Sequence, residues 1–110
     1  MDGKKLNHEI KTNRLSAVQY SENFTDLVKP LTDKQVLVES ERCLFCYDAP
    51  CINACPTSID IPNFIRKIQT GNQHGAAKEI LSANILGGSC ARVCPTETLC
   101  EQACVRNSLE

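Results

Sequence analysis

Apolar residues recur at helical spacing in several parts of the chain, and no segment alternates cleanly as a strand would. The clearest stripe repeats at intervals of three and four residues and comprises Ile61, Phe64, Ile65 and Ile68. Asp60 precedes this stripe as a predicted N-cap, and a second helix is predicted over residues 73–83. We interpret the stripe as core, with a docking face for another domain as the alternative, and predict an all-α fold.

A further helix is predicted just before the first cysteine. Thr32 and Gln35 are three residues apart and match a capping box, which predicts a helix from about Asp33 to Cys43. Residues 1–31 have balanced charge and little periodicity. We interpret them as an N-terminal extension to a domain that spans residues 32–110.

The composition indicates that this domain needs more than an apolar core. The chain has 110 residues with eight Cys, three Phe, two Tyr and no Trp. All eight cysteines lie between Cys43 and Cys104. Small domains with few large aromatic side chains usually need disulfides or bound metal for stability.

Charge and hydropathy exclude two classes of partner. Twelve basic and 13 acidic residues give a net charge of −1, which provides no electrostatic footprint for nucleic acid. No apolar run approaches the roughly 18 residues that span a membrane. The first residues contain no apolar stretch typical of a secretory signal, so we expect a cytoplasmic protein with reduced thiols. Whether copies of the chain form a homo-oligomer stays open.

The cysteines form two boxes whose spacing distinguishes kinds of metal site. The first box is CLFCYDAPCINACP and the second is CARVCPTETLCEQAC. Zinc sites usually combine short C-x2-C pairs, and only Cys43 and Cys46 have that spacing. The first box is closer to the C-x2-C-x2-C-x3-C-P run of bacterial ferredoxins, with two residues inserted before its third cysteine.

Iron–sulfur ligation accounts for the first box in geometric terms. Cys43, Cys46 and Cys51 can surround one cluster. Pro56 restricts Cys55 to an extended backbone, so Cys55 can point toward a second cluster. The second box would supply the remaining ligands. We predict two [4Fe-4S] clusters, with structural zinc in an interaction domain and a disulfide framework as the alternatives.

The residues around both boxes resemble a known oxidoreductase family. The string ERCLFCYDAPCINACPTSIDIPNFI, followed by GAAKEIL and CARVCPTETLCEQAC, strongly resembles the N-terminal iron–sulfur domain of dihydropyrimidine dehydrogenase. It is also similar to the corresponding domain of the glutamate synthase small chain, but DAPC and DIPNFI favour the first branch. The resemblance covers about residues 35–106. It implies an α-helical ferredoxin-like domain whose two [4Fe-4S] clusters relay electrons between FAD, reduced by NAD(P)H, and a second flavin site that reduces a pyrimidine.

The resemblance also implies which cysteines hold each cluster. One cluster would be held by Cys43, Cys46, Cys51 and Cys104, and the other by Cys55, Cys94 and Cys100. In the family, the fourth ligand of the second cluster is a Gln that lies beyond the point where this chain ends, and the cysteine matching Cys90 is not a ligand. The eighth ligand is therefore open between Cys90, a ligand from outside the chain, and an incomplete cluster.

Other motifs of an oxidoreductase are missing from the sequence. It contains no G-x-G-x-x-G fingerprint and no nucleophile–base or acid–base pair. We therefore expect FAD and NAD(P)H to bind to neighbouring domains or a subunit, and the chain to be part of a longer oxidoreductase with no catalytic residue of its own. Arg42, Arg92 and Arg106 lie beside ligand cysteines, and we interpret each as a solvated surface residue, with compensation of the negative cluster charge as the alternative.

Overall fold

The described part of the protein is helical throughout. The computed structural model describes residues 13–109 and contains no strand in that range, which confirms the predicted all-α class. The α-helices of that range are α1 (Ala17–Asn23), α2 (Asp33–Ser40), α3 (Pro50–Ala54), α4 (Ile61–Gln69), α5 (Gln73–Ala83), α6 (Gly87–Val93) and α7 (Cys100–Ala103). Two 3₁₀ turns span Thr96–Thr98 and Val105–Ser108. Within residues 13–109, no helix is long and apolar enough to cross a membrane.

The chain divides into two compact units, residues 1–30 and residues 31–110. In the first unit, α1 begins with a capping box. The Ser16 side chain accepts a hydrogen bond from the backbone N–H of Gln19, and the Gln19 side chain accepts one from the Ser16 backbone at 2.9 Å. No residue of α1 is buried. The assignment of residues 1–31 as an extension of the domain stays a prediction.

The second unit begins with α2, which starts as predicted but ends early. The Thr32–Gln35 capping box is present. The helix stops at Ser40 because the chain tightens: the backbone N–H of Arg42 donates to Glu39, and that of Cys43 donates to Ser40. Such i→i+3 bonds are typical of the last turn of a helix. Cys43 therefore lies in the following loop.

Helices α4 and α5 pack against each other, and each begins at a side-chain cap. The Asp60 side chain caps α4 as predicted, and that of Asn72 caps α5. Gly71 adopts a φ of +79° between the two helices, a conformation that glycine adopts at little cost. Lys67 Nζ contacts Glu79 Oε1 at 2.5 Å and ties α4 to α5.

The second unit has a very small apolar core. Ala49 and Ala76 are the only apolar residues below a tenth exposure among those described, and no large side chain in that range is fully buried. The predicted core stripe is only half-buried, which corrects its interpretation as core: Ile61, Phe64, Ile65 and Ile68. A unit of this size usually needs staples in addition to such a core.

Candidate metal centre

Six of the eight cysteines lie on three short helices that share one design. Each helix ends at a C-cap cysteine with an extended backbone: Cys55 after α3, Cys94 after α6 and Cys104 after α7, with ψ angles of 122°, 128° and 135°. A second cysteine precedes each of these by four positions: Cys51, Cys90 and Cys100. The first cysteine of each pair lies within the helix, whereas the second lies at the C-cap, where the backbone is already extended.

Proline explains two of these three helix ends. Cys55 precedes Pro56, and a residue before proline is restricted to extended conformations. The predicted extended geometry of Cys55 is therefore confirmed. Cys94 precedes Pro95 in the same way. Cys104 has the same extended backbone conformation although no proline follows it. A 3₁₀ turn begins at the next residue, Val105.

The first cysteine group consists of Cys43, Cys51 and Cys104, which line one cavity of about 370 Å³. Burial raises the pKa of Cys51, and the charges of Cys104 and Cys43 raise it further, against a hydrogen bond from the Ile52 backbone that lowers it. Thiolate charges at these three positions repel one another because the sulfurs lie near one another. Cys100 lines the same cavity.

Cys46, the fourth predicted ligand of this cluster, lines a different cavity of about 290 Å³. Phe45 beside it adopts a φ of +50°, and its backbone N–H donates to Cys43 Sγ at 3.5 Å. The guanidinium of Arg66 lies 4.6 Å from the centre of the Phe45 ring. The structure thus fixes the Cys43–Cys46 loop but does not bring Cys46 into the first cysteine group.

Cys100 also interacts electrostatically with Cys94. Burial raises the pKa of Cys100, and the charges of Glu101 and Cys94 raise it further, while backbone hydrogen bonds lower it. Cys90 has its own partner, because Asn84 Nδ2 donates to Cys90 Sγ at 3.1 Å. Asn84 was not predicted as part of the site, because nothing in its local pattern distinguishes it from an ordinary helix-ending residue.

Cys55 lines neither cavity and lies in a loop rich in donors. Burial would raise its pKa, but the backbone N–H groups of Ile59, Thr57 and Ser58 and the Thr57 hydroxyl outweigh burial and lower it. Cys55 Sγ and the Thr57 hydroxyl are 3.6 Å apart. Ser58 has a φ of +52°, which bends the loop back toward the sulfur. These donors favour the thiolate, the form that binds metal.

All eight cysteines are free thiols in the structure. Among residues 13–109, no three His, Cys, Asp or Glu side chains are placed to hold a single metal ion. The structure therefore places Cys43, Cys51, Cys100 and Cys104 around one cavity. Cys46 lines the second cavity, and Cys90 accepts a hydrogen bond from Asn84.

Two arginines contribute to the lining of the first cavity. Arg42 and Arg106 line it together with Glu39 and Glu101. Arg106 is half-buried, so it is less solvated than a fully exposed surface residue. Arg92 is exposed, as predicted, and lines neither cavity.

Comparison with known families matches residues 20–110 to dihydropyrimidine dehydrogenase domain II, 4Fe-4S cluster. This chain belongs to that family. The match confirms the predicted resemblance and identifies residues 20–110 as a 4Fe-4S domain.

Individual relatives agree with this assignment. Over 90 residues the chain is 46% identical to the NAD-dependent dihydropyrimidine dehydrogenase subunit PreT of Escherichia coli (strain K12) and to that of Salmonella typhimurium. It is 34% identical over 100 residues to the putative oxidoreductase UacF of Escherichia coli (strain K12), covering 90% of this chain and 16% of that protein. The PreT alignments cover 81% of this chain but only 22% of either relative. The chain thus spans about a fifth of the length of these relatives.

The first cavity fits a cluster better than a single ion. Thiolates suit iron–sulfur clusters. A volume of about 370 Å³ is many times the roughly 10–15 Å³ of such space that one water molecule needs, so the cavity has room for a group of several atoms. A cluster there would also supply the staple that the small apolar core requires.

Proposed function

We propose that the chain is an electron-transfer module that holds two [4Fe-4S] clusters in the domain at residues 32–110. The first cluster would be held by Cys43, Cys46, Cys51 and Cys104, and the second by Cys55, Cys94 and Cys100. The observation that carries this proposal is the first cavity, where Cys43 and Cys51 of the first box lie beside Cys104 from the end of the second box.

Each cluster, when bound, supplies a one-electron redox couple. The residues of this chain hold it and adjust its surroundings. Thiolates provide the ligand sulfurs, and the N–H donors of residues 57–59 stabilise the Cys55 thiolate. Ile52 and Ile59 are half-buried beside the first box and restrict water there, which together with hydrogen bonding to sulfur sets the potential.

The electrons would pass between FAD, reduced by NAD(P)H, and a second flavin site in a cytoplasmic dihydropyrimidine dehydrogenase-like enzyme. The 46% identity to PreT supports this role, because PreT is named an NAD-dependent dihydropyrimidine dehydrogenase subunit. NADH is accordingly the proposed reductant. Since the alignment covers 22% of that relative, the flavin and nicotinamide sites would lie on domains outside the aligned region.

Anaerobic reconstitution with iron and sulfide tests the cluster assignment. Two clusters correspond to about eight iron and eight acid-labile sulfide per chain, with absorbance near 400 nm. We expect C104S to lower the iron content to about four per chain. A colourless wild-type protein that holds stoichiometric zinc would overturn the proposal.

The variants C90S and C94S form a matched pair that tests whether Cys90 is the eighth ligand. The two cysteines belong to one helix and are four positions apart. C94S should lose the second cluster. If C90S keeps both clusters, the eighth ligand comes from outside the cysteine boxes; if C90S loses the second cluster as C94S does, Cys90 is that ligand. Iron content and the cluster signal in electron paramagnetic resonance (EPR) spectra distinguish these outcomes.

A further inference from the structure

Arg106 joins the two ends of the first cysteine group. Its Nε donates to the backbone carbonyl of Arg42 at 2.9 Å, a contact between residues 64 positions apart in the chain. Arg42 immediately precedes Cys43, and Arg106 follows Cys104 by two residues. This hydrogen bond therefore holds the segment that carries Cys104 against the segment that carries Cys43.

Arg106 also brings a positive charge to the wall of the first cavity. It is half-buried and lines the cavity with Cys43, Cys51 and Cys104. The other charges on that wall are those of Arg42, Glu39 and Glu101. Arg42 pairs with Glu39 at 3.1 Å, and both side chains are about half exposed, so water screens that pair strongly. Half-burial leaves the Arg106 charge less screened.

We propose that Arg106 is a positioning residue for the first cluster and raises its reduction potential. This inference rests on the proposed function. A [4Fe-4S]²⁺ core with four thiolates carries a charge of −2, and the reduced cluster carries −3. A nearby cation stabilises the more negative state more strongly, and charge and hydrogen bonding near the ligand sulfurs are among the features that set cluster potentials.

Potentiometric titration followed by EPR spectroscopy tests the charge effect in the anaerobically reconstituted full chain. Five proteins are compared: wild type, R106M, R106Q, R106K and R92M. R106M removes both the charge and the hydrogen bond, whereas R106K keeps the charge. R92M is the matched control, because Arg92 is exposed and lines neither cavity but carries the same charge two residues before Cys94.

We expect R106M to move one of the two couples to lower potential. The expected shift is about a tenfold change in the ratio of oxidised to reduced cluster at fixed potential, which equals 59 mV for a one-electron couple. R106K should recover most of this shift, and R92M should leave that couple in place. Release of iron to a chelator should accelerate in R106M and, less strongly, in R106K, since both lose the Arg106 Nε donor.

The outcomes separate the inference from the proposed function. A wild-type protein without cluster signals would refute the function itself. Two wild-type couples that R106M leaves unmoved, or an equal shift of the same couple in R92M, would refute only the role of Arg106. If R106M retains only the second cluster while R92M retains both, the positioning role is supported. The reduction potentials of the first cluster in R106K and R106Q then test whether the charge at position 106 raises that potential. A lower potential in R106Q supports the charge effect, and equal potentials in the two variants refute it.

Discussion

If the proposed clusters are bound, their removal should melt the three cysteine-capped helices. Helices α3, α6 and α7 have five, seven and four residues, and isolated helices below about 12 residues are marginal in water. Together they hold about a third of the α-helical residues described. Because Ala49 and Ala76 are the only apolar residues below a tenth exposure in the described range, little else would hold these helices.

Circular dichroism at 222 nm of the anaerobically reconstituted protein, before and after iron is chelated, measures this change. We expect the ellipticity to fall by at least about a third, the share of α3, α6 and α7, and to return when iron and sulfide are added back. Loss of the absorbance near 400 nm should run in parallel. An iron-free protein that kept its full ellipticity and a cooperative melt would refute the reasoning.

Three substitutions give further tests, each read as the apparent Tm of the loaded protein. K67M should lower the free energy of unfolding by about 1–2 kcal/mol, because the partly buried ion pair of Lys67 with Glu79 lies between exposed and buried pairs in strength. A double-mutant cycle with E79Q that showed no coupling would contradict this. N84A should lower the free energy of unfolding by about 1–3 kcal/mol, since two hydrogen bonds of Asn84 are lost. N84D keeps the acceptor oxygen and should lower it by less. V105P should be tolerated or stabilise by about 0.4–1 kcal/mol, because position 105 begins a 3₁₀ turn; a loss of iron in V105P would contradict this. For a domain of this size, 1 kcal/mol corresponds to roughly 4–8 °C.

Local rules predicted the starts of the helices well. The capping box at Thr32 and the N-cap at Asp60 depend on residues three positions apart, and both are present. The end of α2 depends on i→i+3 bonds at residues 39–43, for which the sequence carries no comparable signal. The half-burial of the Ile61–Ile68 stripe was also missed, because periodicity indicates a face but not what covers it.

The site was predictable only as far as its geometry is local. Pro56 fixed the backbone of Cys55 through one steric rule. The approach of Cys104 to Cys43 and Cys51 depends on the packing of α7 against α3, which no spacing reveals; the family resemblance supplied that grouping. The hydrogen bond of Arg106 was not predicted for the same reason, because its partner lies 64 positions away.

The small core and the cysteine-capped helices have one physical explanation. Most short helices are held by apolar faces packed on a core, but α3, α6 and α7 contain no buried residue, and each ends in a thiol. If those thiols hold clusters, metal–sulfur bonds take the place of apolar burial, and the energy of ligand binding becomes energy of folding. Loss of one ligand cysteine would then weaken both the cluster and the helix that it ends, whereas R106K would alter the hydrogen bond to Arg42 and keep every thiolate. Substitutions beside the ligands are therefore the ones that can separate electron transfer from folding in this domain.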